Sequence, residues 1–271
     1  MSDKVMTWEQ AVLWLRSQPD MDEVVRHNYY DDPLLEASIR FANSTEWQAV
    51  REILRGRSGK VLEVGAGRGI ASFALARDGW EVTALEPNPS DIVGAGAIRT
   101  LSKDAEITIK VVEEWGESLP FSDETFDLVY CRAVLHHAHD LNSLGREISR
   151  VLKPGGLVLA CREHVVSNDQ ELKFFLDNHP LHSLYGGEYA YRLNEYIAAL
   201  NGGGINVKQV LNPLSSDINL FPQVQEEFRN KLAKRLMLPR VFVFNWVLRL
   251  VGALIHSPGR LYTFIGEKPN V

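Results

Sequence analysis

The chain has 271 residues, of which 45% are hydrophobic and 24% charged, and its formal net charge is −6 at pH 7. This composition is typical of a globular α/β protein, and the negative charge without a long run of Lys or Arg disfavours a nucleic-acid substrate. The two cysteines lie inside apolar runs, and the N-terminus lacks the apolar stretch of a signal peptide. We therefore expect reduced thiols and a cytoplasmic location.

Residues 1–57 are predicted to form an N-terminal helical cap. Apolar residues recur at helical spacing over residues 7–17, where Thr7 and Gln10 have the spacing of a capping box. Ser44 follows a break in the next helical region and predicts a new N-cap.

From residue 58 to residue 271 the pattern changes to short apolar strands that alternate with helices, as in a parallel sheet built from βαβ units. The candidate strands are residues 60–64, 81–86, 106–112, 127–131, 157–163, 205–211 and 262–266, and the first five are separated by candidate helices at residues 69–78, 90–101 and 140–152.

A helical insertion is expected at residues 215–258, before the last strand. Its first helix has an apolar stripe opposed by charged residues and is predicted to lie on a surface. Its second, residues 241–255, is apolar nearly all round but shorter than the ~20 residues that span a bilayer. We expect this helix to be buried in the protein, in a homodimer interface or at a membrane surface.

A glycine-rich loop connects the first strand to its helix, with the sequence Gly65-Ala66-Gly67-Arg68-Gly69. Glycines there allow a ligand to approach the backbone, and amide groups at the start of the helix can donate hydrogen bonds to it. The spacing differs from the G-x-G-x-x-G of dinucleotide-binding proteins and disfavours an NAD-dependent oxidoreductase. The alternative is a tight connection that binds nothing.

Glu86 ends the second strand, seventeen positions after Gly69. A carboxylate there can accept hydrogen bonds from both hydroxyls of a ribose, which indicates an adenosine-containing ligand. Alone, this residue would be interpreted as a solvated charge at a strand end.

These residues, together with Leu119-Pro120-Phe121, Asp127 and Leu135-His136-His137, resemble the class I methyltransferases, and most closely the group with small-molecule, quinone and sterol substrates. The resemblance covers roughly residues 60–165. It implies a Rossmann-like, doubly wound, seven-stranded sheet, mostly parallel with an antiparallel last strand. It also implies S-adenosylmethionine as cofactor and S-adenosylhomocysteine as product. The implied cofactor-binding residues are Glu63, Gly65, Ala66, Gly67, Gly69, Glu86 and Pro87.

The chain departs from this family where an Asp usually contacts adenine, because Trp115 stands there between Glu114 and Gly116. Trp115 stacking on the adenine ring, Glu114 substituting after a loop shift, and Trp115 lying in the core all remain open. The resemblance further places Cys131 and Arg132 under the methionine end of the cofactor. Tyr30, in the cap, is expected to touch that end or to be a half-buried aromatic.

Methyl transfer from a sulfonium needs mainly alignment and exclusion of water, because the cofactor carries the reactivity. His164 is the first candidate for a general base and His137 the second, although for either of them a role as hydrogen-bonded wall is the favoured interpretation. The string that contains His136, His137, His139 and Asp140 lacks the usual spacing of metal ligands, so no metal is expected.

The predicted function is S-adenosylmethionine-dependent methylation of an O, N or C atom of a small-molecule acceptor. The acceptor pocket is expected between the cap, residues 185–191 and residues 221–255, whose apolar helix suggests an apolar acceptor or a lipid-linked glycan. A rival hypothesis is a protein that binds the cofactor without catalysis, since the chemistry requires no indispensable side chain.

Overall fold

A computed structural model describes residues 6–237, Pro239 and residues 242–270, and shows the predicted α/β class. The strands are β1 (Lys60–Val64), β2 (Glu81–Leu85), β3 (Ile109–Val112), β4 (Phe126–Arg132), β5 (Leu152–Val166), β6 (Tyr191–Arg192), β7 (Asn206–Leu211) and β8 (Arg260–Glu267). Seven of them form a sheet with the order β3-β2-β1-β4-β5-β8-β7.

Strands β1 to β5 are parallel, and β8 is antiparallel to both β5 and β7, as predicted for the last strand. The seven predicted strands are all present. The two-residue strand β6 is additional and pairs with the end of β5. A strand of this length has no periodicity that a sequence pattern could reveal.

The helices that follow β1 are α5 (Ile70–Arg77), α6 (Ala95–Asp104), α7 (Leu141–Val151), α8 (Asp169–Asn178), α9 (His182–Tyr185), α10 (Leu193–Gly202), α11 (Asp217–Leu220), α12 (Gln225–Leu236) and α13 (Asn245–Ala253), with a 3₁₀ turn at Leu135–His137. Helix α6 begins five residues later than predicted. The reason is that the Ser90 hydroxyl accepts hydrogen bonds from the amides of Ile92 and Val93, which forms a turn instead.

Before the sheet, the chain forms helices α1 (Trp8–Arg16), α2 (Asp22–His27), α3 (Leu34–Ala42) and α4 (Thr45–Leu54). The Thr7 capping box and the Ser44 N-cap are both present. Trp47 of α4 is fully buried, and its ring meets that of Tyr130 in β4 edge to face at 6.0 Å. The core of the cap is therefore continuous with the core on one face of the sheet.

The insertion contains both predicted helices, but α13 is shorter than expected, and Val241 lies outside the described residues. Leu248 is buried, whereas Trp246, Leu250 and Leu254 are 59%, 58% and 75% exposed. The alternative that this helix is buried within its own chain is therefore wrong for one face of the helix. Among the described residues, no helix is long and apolar enough to cross a membrane.

Candidate active site

The loop between β1 and α5 has the backbone conformation that its glycines make possible. Gly65, Gly67 and Gly69 have φ values of 64°, 53° and 81°, a region that residues with a Cβ rarely adopt. A Cβ on Gly65 would lie 2.7 Å from Cγ2 of Val134, whereas a Cβ on Gly67 would meet nothing within 4 Å. The loop therefore packs tightly at its first glycine and leaves open space at its second.

Glu86, which follows the end of β2, is fixed beside this loop. Its Oε2 accepts a hydrogen bond from the Gly67 amide at 2.7 Å, and its Oε1 accepts one from the Asn88 amide at 3.0 Å. Burial raises the pKa of Glu86 to about 7, although both hydrogen bonds oppose the shift. The interpretation of Glu86 as a solvated strand-end charge is wrong, because the side chain is buried.

Glu63, in β1, lies behind the loop. Its carboxyl group accepts a hydrogen bond from the Ser72 hydroxyl of α5. Burial raises its pKa to about 8, and the bond to Ser72 opposes the shift. This side of the site thus holds two buried acids whose hydrogen-bond donors are neutral.

Two arginines, the buried Arg68 and the half-buried Arg132, join the cap to the rest of the chain. The Arg132 guanidinium donates to both carboxylate oxygens of Glu46 at 2.6 and 2.9 Å, and this carboxylate holds the pKa of Arg132 well above its usual range despite burial. Arg68, within the glycine loop, donates to the carbonyl oxygens of Tyr29 and Asp31, both at 2.9 Å. These contacts fix the cap against the loop.

Three aromatic side chains from the cap and from α9 contact one another beside the loop. The ring centroid of Trp8 lies 5.7 Å from that of Tyr30 and 4.9 Å from that of Tyr185. Burial raises the pKa of Tyr30 well above its usual value, so its hydroxyl remains protonated. The result is an aromatic wall whose polar tips can hydrogen-bond.

Opposite the glycine loop, His136 lies between two glutamates. Its Nδ1 is 2.7 Å from Oε2 of Glu163, and its Nε2 is 3.6 Å from Oε2 of Glu188. Burial disfavours protonation of His136, but the hydrogen bond to Glu163 and the negative charge of both glutamates outweigh it and raise the pKa to about 9. Glu163 also accepts hydrogen bonds from the amides of Val134, Leu135 and His136, each at 3.1 Å.

His164 and His137 complete this group, and a backbone carbonyl lies close to one nitrogen of each ring. Nδ1 of His164 is 2.8 Å from the Gly259 oxygen, and Nδ1 of His137 is 3.0 Å from the Gly187 oxygen. Burial, reinforced by the charge on His136, lowers the pKa of His164 to about 3 and that of His137 below its usual value. Both rings are therefore neutral near pH 7.

One cavity of about 650 Å³ connects the glycine loop, the aromatic wall and the histidines. This volume lies within the range of roughly 300–1,000 Å³ that is typical of small-molecule sites. We call the end next to Gly65, Gly67 and Glu86 the loop end, and the end next to His136, His164 and Glu188 the histidine end.

Comparison with known proteins assigns a family to this architecture. Residues 62–160 match a family model described as "Methyltransferase domain". An uncharacterized methyltransferase of Mycobacterium sp. (strain KMS) is 35% identical over 113 residues, which cover 42% of this chain and 42% of that protein. The ubiquinone biosynthesis O-methyltransferase of Rhizobium leguminosarum bv. trifolii (strain WSM2304) is 27% identical over 184 residues, which cover 65% of this chain and 71% of that protein.

Residues 62–160 thus form a methyltransferase domain similar to the class I S-adenosylmethionine-dependent enzymes, and the matched part spans less than half of the mycobacterial relative. The fold of the chain is shared with the solved geranyl diphosphate C-methyltransferase of Streptomyces coelicolor A3(2), with a TM-score of 0.61 over 98% of this chain and 100% of that one, at 13% identity. The predicted resemblance to methyltransferases is confirmed over residues 62–160, as is the predicted Rossmann-like fold.

The cavity of the methyltransferase domain brings most of the predicted site residues together. Those that line it are Tyr30, Glu63, Gly65, Ala66, Gly67, Glu86, Pro87, Glu114, Trp115, Gly116, Arg132, His137 and His164. Gly69 instead caps helix α5 below the loop, and Cys131 is fully buried within β4. The ligand-binding roles of all of these residues remain predictions.

Trp115 lies at the mouth of the cavity and is 59% exposed. Its placement in the core, one of the open alternatives, is wrong. Its backbone amide donates a hydrogen bond to Oε1 of Glu114 at 3.0 Å, and its ring centroid is 6.4 Å from that of His139. An indole in this position is free to stack on a flat ligand.

Several residues of the site were not singled out from the sequence, above all Glu188, Glu46 and Arg68. Glu188 lies in the loop between α9 and β6, where no motif marks it. Of the string that begins at His136, Asp140 caps helix α7 and does not join the histidines. His136 is instead grouped with His164 and Glu188, which come from other segments.

Proposed function

We propose that this chain binds S-adenosylmethionine at the loop end of the cavity and transfers its methyl group to a small-molecule acceptor at the histidine end. The observation that carries the proposal is the position of Glu86, whose carboxylate is oriented by the Gly67 and Asn88 amides at the edge of the glycine loop. A carboxylate so held can accept hydrogen bonds from two ribose hydroxyls.

The residues at the loop end fit this cofactor. The open space at Gly67 allows a ligand to approach the backbone, and a ligand that carries a sulfonium and an ammonium group would favour the ionised forms of the buried acids Glu63 and Glu86. Trp115 is available to stack on adenine, and Glu114 to accept a hydrogen bond from its amino group. Bound S-adenosylmethionine supplies an activated methyl group for in-line displacement.

The protein's contribution is alignment and exclusion of water. The cap, held by Arg68 and Arg132, covers the cavity, and the aromatic wall of Trp8, Tyr30 and Tyr185 orients the acceptor. His164 and His137 are the candidate bases, but a pKa of about 3 makes His164 a weak proton acceptor near neutral pH. An acceptor that must lose a proton therefore requires further assistance at this end.

The acceptor that these surroundings favour is small and partly apolar, with a polar group directed at the histidines. The aromatic wall supports the apolar part, and a lipid-linked glycan remains one such acceptor. The exposed side chains of Trp246 and Leu250 in α13, and of Leu254 at its C-cap, support a peripheral contact, with either a membrane surface or a second copy of the chain. The cytoplasmic location and the domain boundary at residue 57 stay predictions.

Calorimetric titration with S-adenosylmethionine and S-adenosylhomocysteine tests the cofactor, with NAD as the control ligand. We expect both adenosyl compounds to bind the wild type and Glu81→Ala equally, because Glu81 is an exposed residue at the other end of β2. Glu86→Ala should bind at least about 100-fold more weakly, since it loses two hydrogen bonds to a charged group, each worth about 1.5–3 kcal/mol. Tight binding of NAD, or equal binding by Glu86→Ala, would refute the proposal.

Binding by itself does not separate an enzyme from a protein that only binds the cofactor. Transfer of a labelled methyl group from S-adenosylmethionine to members of an acceptor panel makes this distinction. The panel should contain phenols, quinols and isoprenoid-linked sugars. Turnover with any of them supports the enzyme, whereas tight cofactor binding without turnover on the whole panel favours the non-catalytic alternative.

A further inference from the structure

We propose that His136, His164 and Glu188 bind a divalent transition-metal ion at the histidine end of the cavity. Each residue offers one ligand atom, and these atoms lie within 4.8 Å of one another. The residues come from the 3₁₀ turn after β4, from β5 and from the loop before β6, and all three line the cavity. The spacing along the chain, 28 and 24 residues, is unlike any local metal motif.

Both imidazoles are oriented as metal ligands usually are. Nδ1 of His164 lies 2.8 Å from the Gly259 carbonyl oxygen, which can only accept, so this nitrogen carries the proton and Nε2 has a lone pair. Nδ1 of His136 lies 2.7 Å from Glu163, itself fixed by three backbone amides, and the ion would replace the proton on Nε2 of this ring. A histidine that donates one ring N–H to a carboxylate or carbonyl, with its other nitrogen on the ion, is the common pattern at metal sites.

Glu188 supplies the third ligand and is held in the same way. Its Oε1 accepts a hydrogen bond from the Tyr185 hydroxyl at 2.6 Å, which leaves Oε2 3.6 Å from Nε2 of His136. That separation is long for a hydrogen bond. A separation of this size suits two ligand atoms that bind the same metal ion. Metal–ligand bonds of about 2.0–2.2 Å in tetrahedral geometry place the ligand atoms about 3.3–3.6 Å apart. The widest pair must approach by roughly 1 Å when the ion binds.

The chemistry of the donors selects the class of ion. Two imidazole nitrogens and one carboxylate favour Zn²⁺, Co²⁺ or Fe²⁺, whereas Mg²⁺ and Ca²⁺ prefer oxygen ligands throughout. With three protein ligands, the ion keeps an open position toward the cavity. A hydroxyl oxygen of the acceptor can occupy that position and lose its proton more readily there.

This use of the metal rests on the proposed function. The acceptor O–H bond breaks and its proton passes to solvent. The oxygen's electron pair then forms the O–CH₃ bond, while the C–S bond breaks and leaves its pair on sulfur, which gives S-adenosylhomocysteine. The metal changes neither its charge nor its oxidation state, so the step requires no further reactant.

The test is a titration of the full chain, without an affinity tag and treated with a chelator, with Co²⁺ followed by its visible absorption. We expect one equivalent to bind, Zn²⁺ to displace it and Mg²⁺ to have no effect. His164→Gln and Glu188→Gln should each weaken Co²⁺ binding at least tenfold. His256→Gln, which alters an exposed histidine in the insertion, should bind Co²⁺ as the wild type does.

Titration of the same variants with S-adenosylmethionine separates the two proposals. Unchanged cofactor affinity with weakened Co²⁺ binding supports the metal site and shows that the variants are folded. Failure of the wild type to bind Co²⁺, equal binding by His164→Gln and Glu188→Gln, or equal weakening in His256→Gln overturns it. In those cases the histidines and glutamates form a hydrogen-bonded wall of the cavity, and the cofactor proposal is still tested by its own titration.

Discussion

The two ends of the cavity bury carboxyl groups in opposite ways. At the loop end, Glu63 and Glu86 accept hydrogen bonds from a hydroxyl and from backbone amides, and burial raises their pKa values to about 8 and about 7. At the histidine end, Glu163 and Glu188 contact imidazoles, which hold their pKa values below the usual range against the effect of burial.

The difference indicates which end is prepared for the cofactor, a ligand that carries ribose hydroxyls and an organic cation. A buried acid with only neutral donors gains most when a cation or a set of hydroxyls arrives, because either favours its ionised form. An acid that already contacts imidazole is part of the framework, and its removal leaves buried groups without partners. The loop end is thus suited to receive the cofactor, whereas the side chains of the histidine end are already held in place by contacts with one another.

Glu163→Ala gives the largest expected effect. It removes the acceptor of three backbone amides and of His136, so we expect the free energy of unfolding to fall by about 3–5 kcal/mol. Denaturant-induced unfolding measures this loss. The isosteric variant Glu163→Gln, which keeps one carbonyl oxygen, should lose less. A loss below about 1 kcal/mol in Glu163→Ala would show that the histidine end is not built on this residue.

Glu63→Gln tests the opposite behaviour at the loop end. Because the pKa of Glu63 is raised to about 8, the folded protein binds a proton that the unfolded chain releases near pH 4.5. Its stabilising contribution is therefore complete at low pH and is lost as the pH rises to about 8. We expect the wild type to lose roughly 3 kcal/mol from this group between pH 5 and pH 8, at about 1.4 kcal/mol per pH unit.

The measurement for Glu63→Gln is unfolding in denaturant at a series of pH values. The variant carries a neutral isostere and should show a shallower decline than the wild type. Parallel pH profiles for the two proteins would mean that Glu63 is ionised in the folded protein, and the comparison between the two ends would fail at this residue.

Arg68→Met should have an intermediate effect, because it breaks the connection between the cap and the glycine loop. Arg68 donates to two backbone carbonyls and to Asp32, and its loss should lower the free energy of unfolding by about 2 kcal/mol. Arg16→Met is the control, since Arg16 contacts the same half-exposed Asp32 and should cost less than about 1 kcal/mol. Equal losses in the two variants would argue against a fixed cap.

Gly67→Ala has the smallest expected effect and concerns the ligand. Gly67 and Gly79 both have positive φ, and an added Cβ meets nothing within 4 Å at either position. Each alanine variant should therefore lose only about 1–2 kcal/mol of stability. Only Gly67 lines the cavity, so only Gly67→Ala should weaken binding of S-adenosylmethionine, by about tenfold or 1.4 kcal/mol. Equal affinities of the two variants would show that the ligand stays away from this backbone.

The sequence by itself was enough to predict which residues form the loop end of the cavity. Strand β1, the glycines and helix α5 are consecutive, and Glu86 follows the very next strand, so strand order and side-chain periodicity were enough to bring them together. Gly65 and Gly67 were recognisable for the same local reason, since a sharp turn from strand to helix requires positive φ.

Only the tertiary structure showed which residues form the histidine end and which residues cover the cavity. His136, His164 and Glu188 meet because β4, β5 and the loop before β6 end at the same edge of the sheet, and nothing in the spacing of these residues encodes that contact. Glu46 reaches Arg132 across 86 positions of chain. The sequence likewise could not predict which face of α13 is exposed. An apolar pattern indicates that a helix is shielded from water, but it does not indicate which surface covers the helix.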